Sequence, residues 1–128
     1  MKPNKYRAVR TEYNGRVYAS KGEAELAQSL DIDPTITVLE TQPGPYTLGA
    51  PGVTYRPDFL VAERTVRTME IGRVEVPLSL LYAIDFKGRE LPAFKRAVKL
   101  WEEFGPLPLK VISKHSSYWV IPRRLVVE

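Results

Sequence analysis

The sequence predicts an α/β domain, a mixed β-sheet flanked by helices. Three observations carry that expectation. Two segments, "SKGEAELAQSL" (residues 20–30) and "ELPAFKRAVKLWEEFG" (90–105), place apolar residues at helical spacing. Runs rich in β-branched and aromatic residues lie between and after them, bounded by Pro, Gly, Asn and Asp. The resulting order is a helix, about three strands, a second helix and two more strands, which packs helices onto a sheet.

Taken in order, "TEYNGRVYA" reads as a small hairpin turning at Asn14-Gly15. Ser20 followed by Glu23 three residues later is a capping-box start for the first helix. Pro34 ends that helix by disfavouring helical geometry at Asp33. "TITVLET" reads as a strand and "QPGPYTLGAPG" as a loop. "VTYRPDFLVAE" is expected to form one further strand, with Tyr55, Phe59 and Val61 on one face and Pro57 at an edge or bulge. In residues 63–80 the alternation is partial, and Gly72 marks a turn in an extra hairpin. Leu80 to Ile84 is apolar on both parities, as in a central strand covered on both sides. In the second helix, Leu91, Phe94, Val98, Trp101 and Phe104 form the apolar stripe, and Gly105 is the stop. "LKVIS" and "YWVIP" are the last two strands.

Composition narrows the chemistry. With 128 residues, 44% of them hydrophobic, the chain suits a single domain spanning 1–128. There is no cysteine and one histidine, His115, so thiol mechanisms and the usual zinc sites are excluded. No serine sits in a nucleophile elbow. Any metal would be held by oxygen, which favours Mg2+ or Mn2+. No apolar run is long enough for a bilayer and the basic start is not followed by an apolar stretch, so no membrane partner and a cytoplasmic location are expected. The net charge of +4 is compatible with a polyanionic partner.

The stretch "YAIDFKGRE" (82–90) carries the functional signal. Strand alternation points Asp85 and Lys87 to one face and Phe86 to the other. Charges at the end of a buried strand are costly unless paired or bound to something. "TYRPDFLVAE" repeats the arrangement, with Asp58 just ahead of Phe59. Two carboxylates on neighbouring strands with a lysine beside one can hold a hard cation and hydrolyse a phosphodiester. Each residue also has a plainer role: Glu23 as the third residue of a capping box, Asp58 in a turn, Asp85 and Lys87 as a surface ion pair.

"RPDF" followed by "IDFKG" resembles the PD-(D/E)xK nuclease superfamily, on Pro57-Asp58 and Asp85-Phe86-Lys87. "YASKGEAEL" is similar to the first-helix motif of small phage nucleases of that superfamily, in which a glutamate contributes to the metal site; Glu23 matches it and Glu25 competes. The segments "KYRAVRTEYNGRVYASKGEAE" and "LETQPGPYTL" also resemble an uncharacterised phage family of this type. The resemblance covers roughly residues 5–114 and implies a restriction-endonuclease-like core. It implies catalytic Glu23, Asp58, Asp85 and Lys87, with Mg2+ (Mn2+ substituting) on Asp58, Asp85 and Glu23. Within the superfamily it points to phage endonuclease I and Holliday-junction resolvases, and so to branched DNA, preferably four-way junctions, and a homodimer. The alternatives are a nicking or repair nuclease and a non-catalytic DNA-binding protein of the same fold. Asp58 and Asp85 stand farther apart in sequence than a tight hairpin allows, so residues 63–80 read as an insertion. Lys5, Arg7, Arg10 and Lys21 flank the first motif and, with Lys95 and Arg96 on the second helix, are the expected DNA contacts.

Overall fold

Asn14 and Gly15 both adopt positive φ, 50° and 79°. This is the left-handed pair of a tight hairpin turn, which Asn-Gly tolerates, and it joins β1 (Thr11–Tyr13) to β2 (Arg16–Tyr18) as expected. These are the first elements in a computed structural model of the chain, which describes residues 9–126. Helix α1 (Lys21–Ile32) follows. The Ser20 hydroxyl accepts from the Glu23 backbone N–H at 3.1 Å, satisfying one of the donors a helix start leaves unpaired. Asp33, in extended geometry before Pro34, ends the helix.

The main sheet has five strands: β3 (Ile36–Thr41), β6 (Phe59–Ile71), β7 (Val74–Phe86), β8 (Leu109–Ile112) and β9 (Ser117–Val120), ordered β3-β6-β7-β8-β9. Only β7 and β8 run parallel. A parallel pair needs a crossover, and helix α2 (Pro92–Phe104) supplies it. The architecture is therefore mixed α/β, a five-stranded mixed sheet with two helices. No helix among the described residues is long and apolar enough to cross a membrane.

Period-two alternation divides the core between the sheet faces. On one face Ala24, Ala27 and Leu30 of α1 pack on Phe59, Val61, Tyr82 and Ile84. On the other, Phe94 and Trp101 of α2 pack with Ala83, Leu109, Val111 and Val120. Trp101 is fully buried, and its indole N–H donates to the Leu107 carbonyl at 2.8 Å. At about 25 cal/mol per Å² over about 150–250 Å², removing such a ring from water contributes roughly 4–6 kcal/mol.

The structure departs from expectation at four places. Residues 54–63 are not one strand. Thr54–Tyr55 (β5) pairs with Tyr46–Thr47 (β4) in a separate two-stranded sheet inside the expected loop, and β6 begins only at Phe59. Pro57 has no N–H for a ladder, so the chain changes direction there. Tyr55 consequently packs against Phe94 and Trp101, not with Phe59 and Val61. Residues 63–80 do form a hairpin turning at Gly72, as expected, but it is the outer half of β6–β7 and not a separate insertion, with a bulge between Arg64 and Thr68. β7 is central but buried only over Tyr82–Asp85; Leu80 and Leu81 lie beyond the helices and are exposed. On α2 the buried stripe is Phe94 and Trp101, whereas Leu91 and Phe104 at its ends are exposed. Gly105 does end α2, but at φ −62°. Its need is space, since an added Cβ would lie 2.6 Å from the Trp101 carbonyl oxygen.

Candidate active site

The register of β6 and β7 brings the two sequence motifs together. Phe59 pairs with Ile84, so the next positions outward, Asp58 and Asp85, stand opposite each other at the strand ends. The long hairpin between them returns in register, and the sequence separation does not part them. Backbone bonds hold both ends. The Asp58 N–H donates to the Ile84 carbonyl at 3.0 Å, and the Asp58 carbonyl accepts from the Gln42 N–H at 2.7 Å. The Lys87 N–H donates to the Ile112 carbonyl at 2.9 Å.

The side chains converge on this frame. Asp58 Oδ2 accepts from the Phe86 backbone N–H at 2.7 Å. The Asp58 carboxyl stands near those of Asp85 and Glu23, close enough for their charges to raise its pKa. Asp85 is only 1% exposed. Its Oδ2 receives the Lys87 ammonium at 2.9 Å and the Tyr55 hydroxyl. The Lys87 Nζ also lies 4.8 Å from the centre of the Phe94 ring, within cation–π range. Phe86, on the opposite parity, lies against Gly22, where an added Cβ would stand 2.3 Å from the ring.

Glu23 enters from the first turn of α1 and is 9% exposed. Its two possible roles do not compete. Ser20 caps the Glu23 backbone N–H, while the Glu23 carboxylate is buried near Asp58 and Asp85, whose charge raises its pKa. Glu25 is exposed and lies 4.0 Å from Lys21 on the solvent side of the helix. Of the two glutamates left open by the sequence, Glu23 is the one at the cluster.

Burial and like charge set the protonation of this cluster. Desolvation first, then the charge of Asp85 and the bond to it, push Asp58 up to about 8; the Phe86 N–H opposes the shift. Glu23 is raised for the same reasons, burial before the Asp85 charge, with Lys87 pulling the other way. Tyr55 is raised far above the usual phenol value by burial and then by Asp85, so it remains a donor. Tyr118 is pushed up to about 12, by burial and by its bond to Glu90 before the Asp85 charge.

Among the described residues no three carboxylate or imidazole groups are already gathered around one point as a closed metal cage requires. The chain offers three neighbouring carboxyls, Asp85 and Glu23 buried and Asp58 half-buried. Of the expected DNA contacts, Arg10, Lys21, Lys95 and Arg96 are exposed. Lys21 begins the helix that carries Glu23, and Lys95 follows the Phe94 that Lys87 touches. Lys5 and Arg7 lie outside the described residues. Sequence reasoning missed Tyr55, whose role depends on the chain break at Pro57, and Gly22, whose role depends on the Phe86 ring. Neither carries a local signal. Comparison with protein-family models, curated proteins and solved structures returns no match.

Proposed function

We propose that the chain is a metal-dependent DNA endonuclease with a restriction-endonuclease-like core. The observation that carries this reading is the meeting of Asp58 and Asp85 at the paired ends of β6 and β7, with Lys87 bound to one and Glu23 near the other. A mixed sheet between two helices is also the core that the resemblance to PD-(D/E)xK nucleases implies.

The donor set suits a hard divalent cation. Asp58 and Asp85 are neighbouring oxygen donors, one half-buried and one buried, and their like charge together with burial raises Asp58. A Mg2+ ion would offset that like charge, and Mn2+ should substitute. Asp58 and Asp85 would hold the ion, with Glu23 beside Asp58. Bound there, it supplies a water of lowered pKa and offsets charge on a phosphate oxygen. Lys87, held by Asp85 and Phe94, is positioned to orient that water or to stabilise negative charge developing on the phosphate. Tyr55 fixes Asp85 from the α2 side.

Within this reading the finer assignment is a Holliday-junction resolvase acting as a homodimer, in which two sites cut two equivalent strands. What supports it, besides the resemblance, is that exposed cations are spread over Arg10, Lys21, Lys95 and Arg96 and are not gathered on one groove-reading helix. The test is cleavage of plasmid and four-way DNA in different ions. Mg2+ and Mn2+ should support cutting, Ca2+ should support binding with little cutting, and excess EDTA should abolish it. Undiminished cleavage in EDTA would remove the metal mechanism.

A further inference from the structure

The donors around Asp85 divide its two carboxyl oxygens. Oδ2 accepts from the Tyr55 hydroxyl and, at 2.9 Å, from the Lys87 ammonium. A carboxylate has about four lone-pair sites over its two oxygens, so these donors fill Oδ2, and Oδ1 takes neither of them. The two donors differ in stiffness. Lys87 ends a flexible stem, and its side chain is 29% exposed. Tyr55 is a clamped ring. It lies 6.0 Å from Phe94 and 6.1 Å, edge-on, from the fully buried Trp101. Strand pairing sets Tyr55 opposite Tyr46, whose own ring meets Trp101 edge-on at 5.5 Å. The β4–β5 ribbon is thus fastened to α2 through both tyrosines, and one of them reaches Asp85. A ring with two side-chain torsions is held there at little entropic cost. Asp58 has an equally rigid anchor, since its Oδ2 accepts from the Phe86 backbone N–H. Tyr55 does for Asp85 what that N–H does for Asp58.

On the metal-dependent reading proposed above, we infer that Tyr55 is a positioning residue for the cation. Its hydroxyl holds Asp85 by Oδ2 and leaves Oδ1 to the metal. It also keeps Asp85 in place when the Lys87 ammonium turns from Oδ2 towards a phosphate. Without Tyr55 the carboxylate would be tied only to a mobile group that the reaction needs elsewhere. Groups that orient a metal ligand from behind are worth roughly ten- to a hundredfold in metal affinity.

Mn2+ binding to the DNA-free chain, followed by electron paramagnetic resonance, tests this apart from cleavage. Tyr55→Phe removes one oxygen and keeps the ring. Its melting curve should stay close to that of the wild type, while Mn2+ affinity falls about tenfold or more. The Mg2+ concentration for half-maximal cleavage should rise by a similar factor, with metal-free DNA affinity unchanged. Tyr46→Phe is the control: it takes a hydroxyl from the same ribbon but no bond from Asp85, and should bind Mn2+ as the wild type does. Should Tyr55→Phe fold poorly, the wild type offers a second measurement. The Tyr55 hydroxyl proton, followed by nuclear magnetic resonance on ring-labelled tyrosine, should stay protected from exchange when Mg2+ is added. A folded Tyr55→Phe that binds Mn2+ as tightly as wild type, or a hydroxyl that loses protection with Mg2+, would overturn the role of Tyr55. Asp85→Asn separates that failure from the wider one. If it loses Mn2+ binding, the metal reading stands without Tyr55; if it and the wild type bind Mn2+ alike, or neither binds, the metal reading fails and the role of Tyr55 with it.

Discussion

Replacing Asp85 by Asn keeps its size and its place beneath Tyr55 but removes the charge that holds Lys87. Replacing Asp58 by Asn removes a carboxyl that lies between Asp85 and Glu23. Either change, or Lys87→Ala, should lower cleavage on the order of a hundredfold or more while circular dichroism stays native. DNA binding should survive, and should tighten for Asp85→Asn, which removes a negative charge from the proposed phosphate site, more than for Asp58→Asn, whose carboxyl is largely protonated below about pH 8 without metal. Near wild-type turnover by Asp85→Asn would show the site to be misassigned. The same cluster makes stability pH-dependent. Asp58 rises from an ordinary 3.8 to about 8 in the fold. Below about pH 4 it is protonated in both folded and unfolded chains. As pH rises from there to about 8 the unfolded chain ionises and the folded one resists, so the metal-free protein loses stability across that window. Glu23 shifts in the same direction. Mg2+ bound at the proposed site would compete with that proton, so its stabilising increment should be larger at about pH 8 than at about pH 5. Melting curves at both values, with and without Mg2+, check the sign; a metal-free protein that gains stability toward pH 8 contradicts it.

At the level of elements, the packing of α1 against the end of β7 sets the position of Glu23. The contact is Gly22 on the Phe86 ring, one residue before Glu23 and one residue after Asp85. A methyl at position 22 must push either the ring or the helix start, at a cost of roughly 1–3 kcal/mol for an overpacked contact. Gly22→Ala should therefore lower the melting temperature and also lower cleavage beyond the folded fraction lost. Phe86→Leu, which removes the far edge of the ring, should restore part of both when combined with it. A Gly22→Ala protein as stable and as active as the wild type would mean that the helix start does not set the site.

Across the whole molecule, charge and shape argue together. Exposed cations are spread over the described residues, from Arg10 and Lys21 through Arg67 and Arg73 to Lys95, Arg96 and Arg123, and are not gathered on either helix. Under the proposed function, such spread charge would contact DNA backbone, which positions DNA without reading its sequence, and selectivity would come from shape. A labelled four-way junction should therefore resist competition by excess linear duplex of the same sequence, and affinity should fall steeply with salt. Equal competition by duplex, with linear DNA cut as fast, would leave the general nuclease reading and remove the junction-selective one.

Much of the fold was legible because its signals are local. Asn14-Gly15 specifies its turn by φ, Ser20 and Asp33 bound α1, and Phe94 and Trp101 mark the buried face of α2 by period alone. The pair of motifs around Asp58 and Asp85 was legible for a similar reason, a charge beside a core phenylalanine at a strand end. Tertiary structure decided what depends on partners far along the chain. Register across a hairpin of two 13-residue strands determined that Asp58 faces Asp85, because pairing with β7 and not sequence distance fixes which residues oppose. Only the fold could hand Glu23 its carboxylate role, since Ser20 uses the Glu23 backbone and leaves the side chain to Asp58. Tyr55 reached Asp85 because Pro57 breaks the strand and returns the chain over α2. Residues 63–80 alternate well only on β7. Their apolar face became readable once cross-strand pairing set Met69 opposite Val76 and Ile71 opposite Val74. The sequence by itself determined the elements and the chemical types at their ends, since both follow from neighbours within a few residues. Which charges meet, and which apolar face stays open, was decided by strand pairing, because contact between distant residues is a property of register and packing.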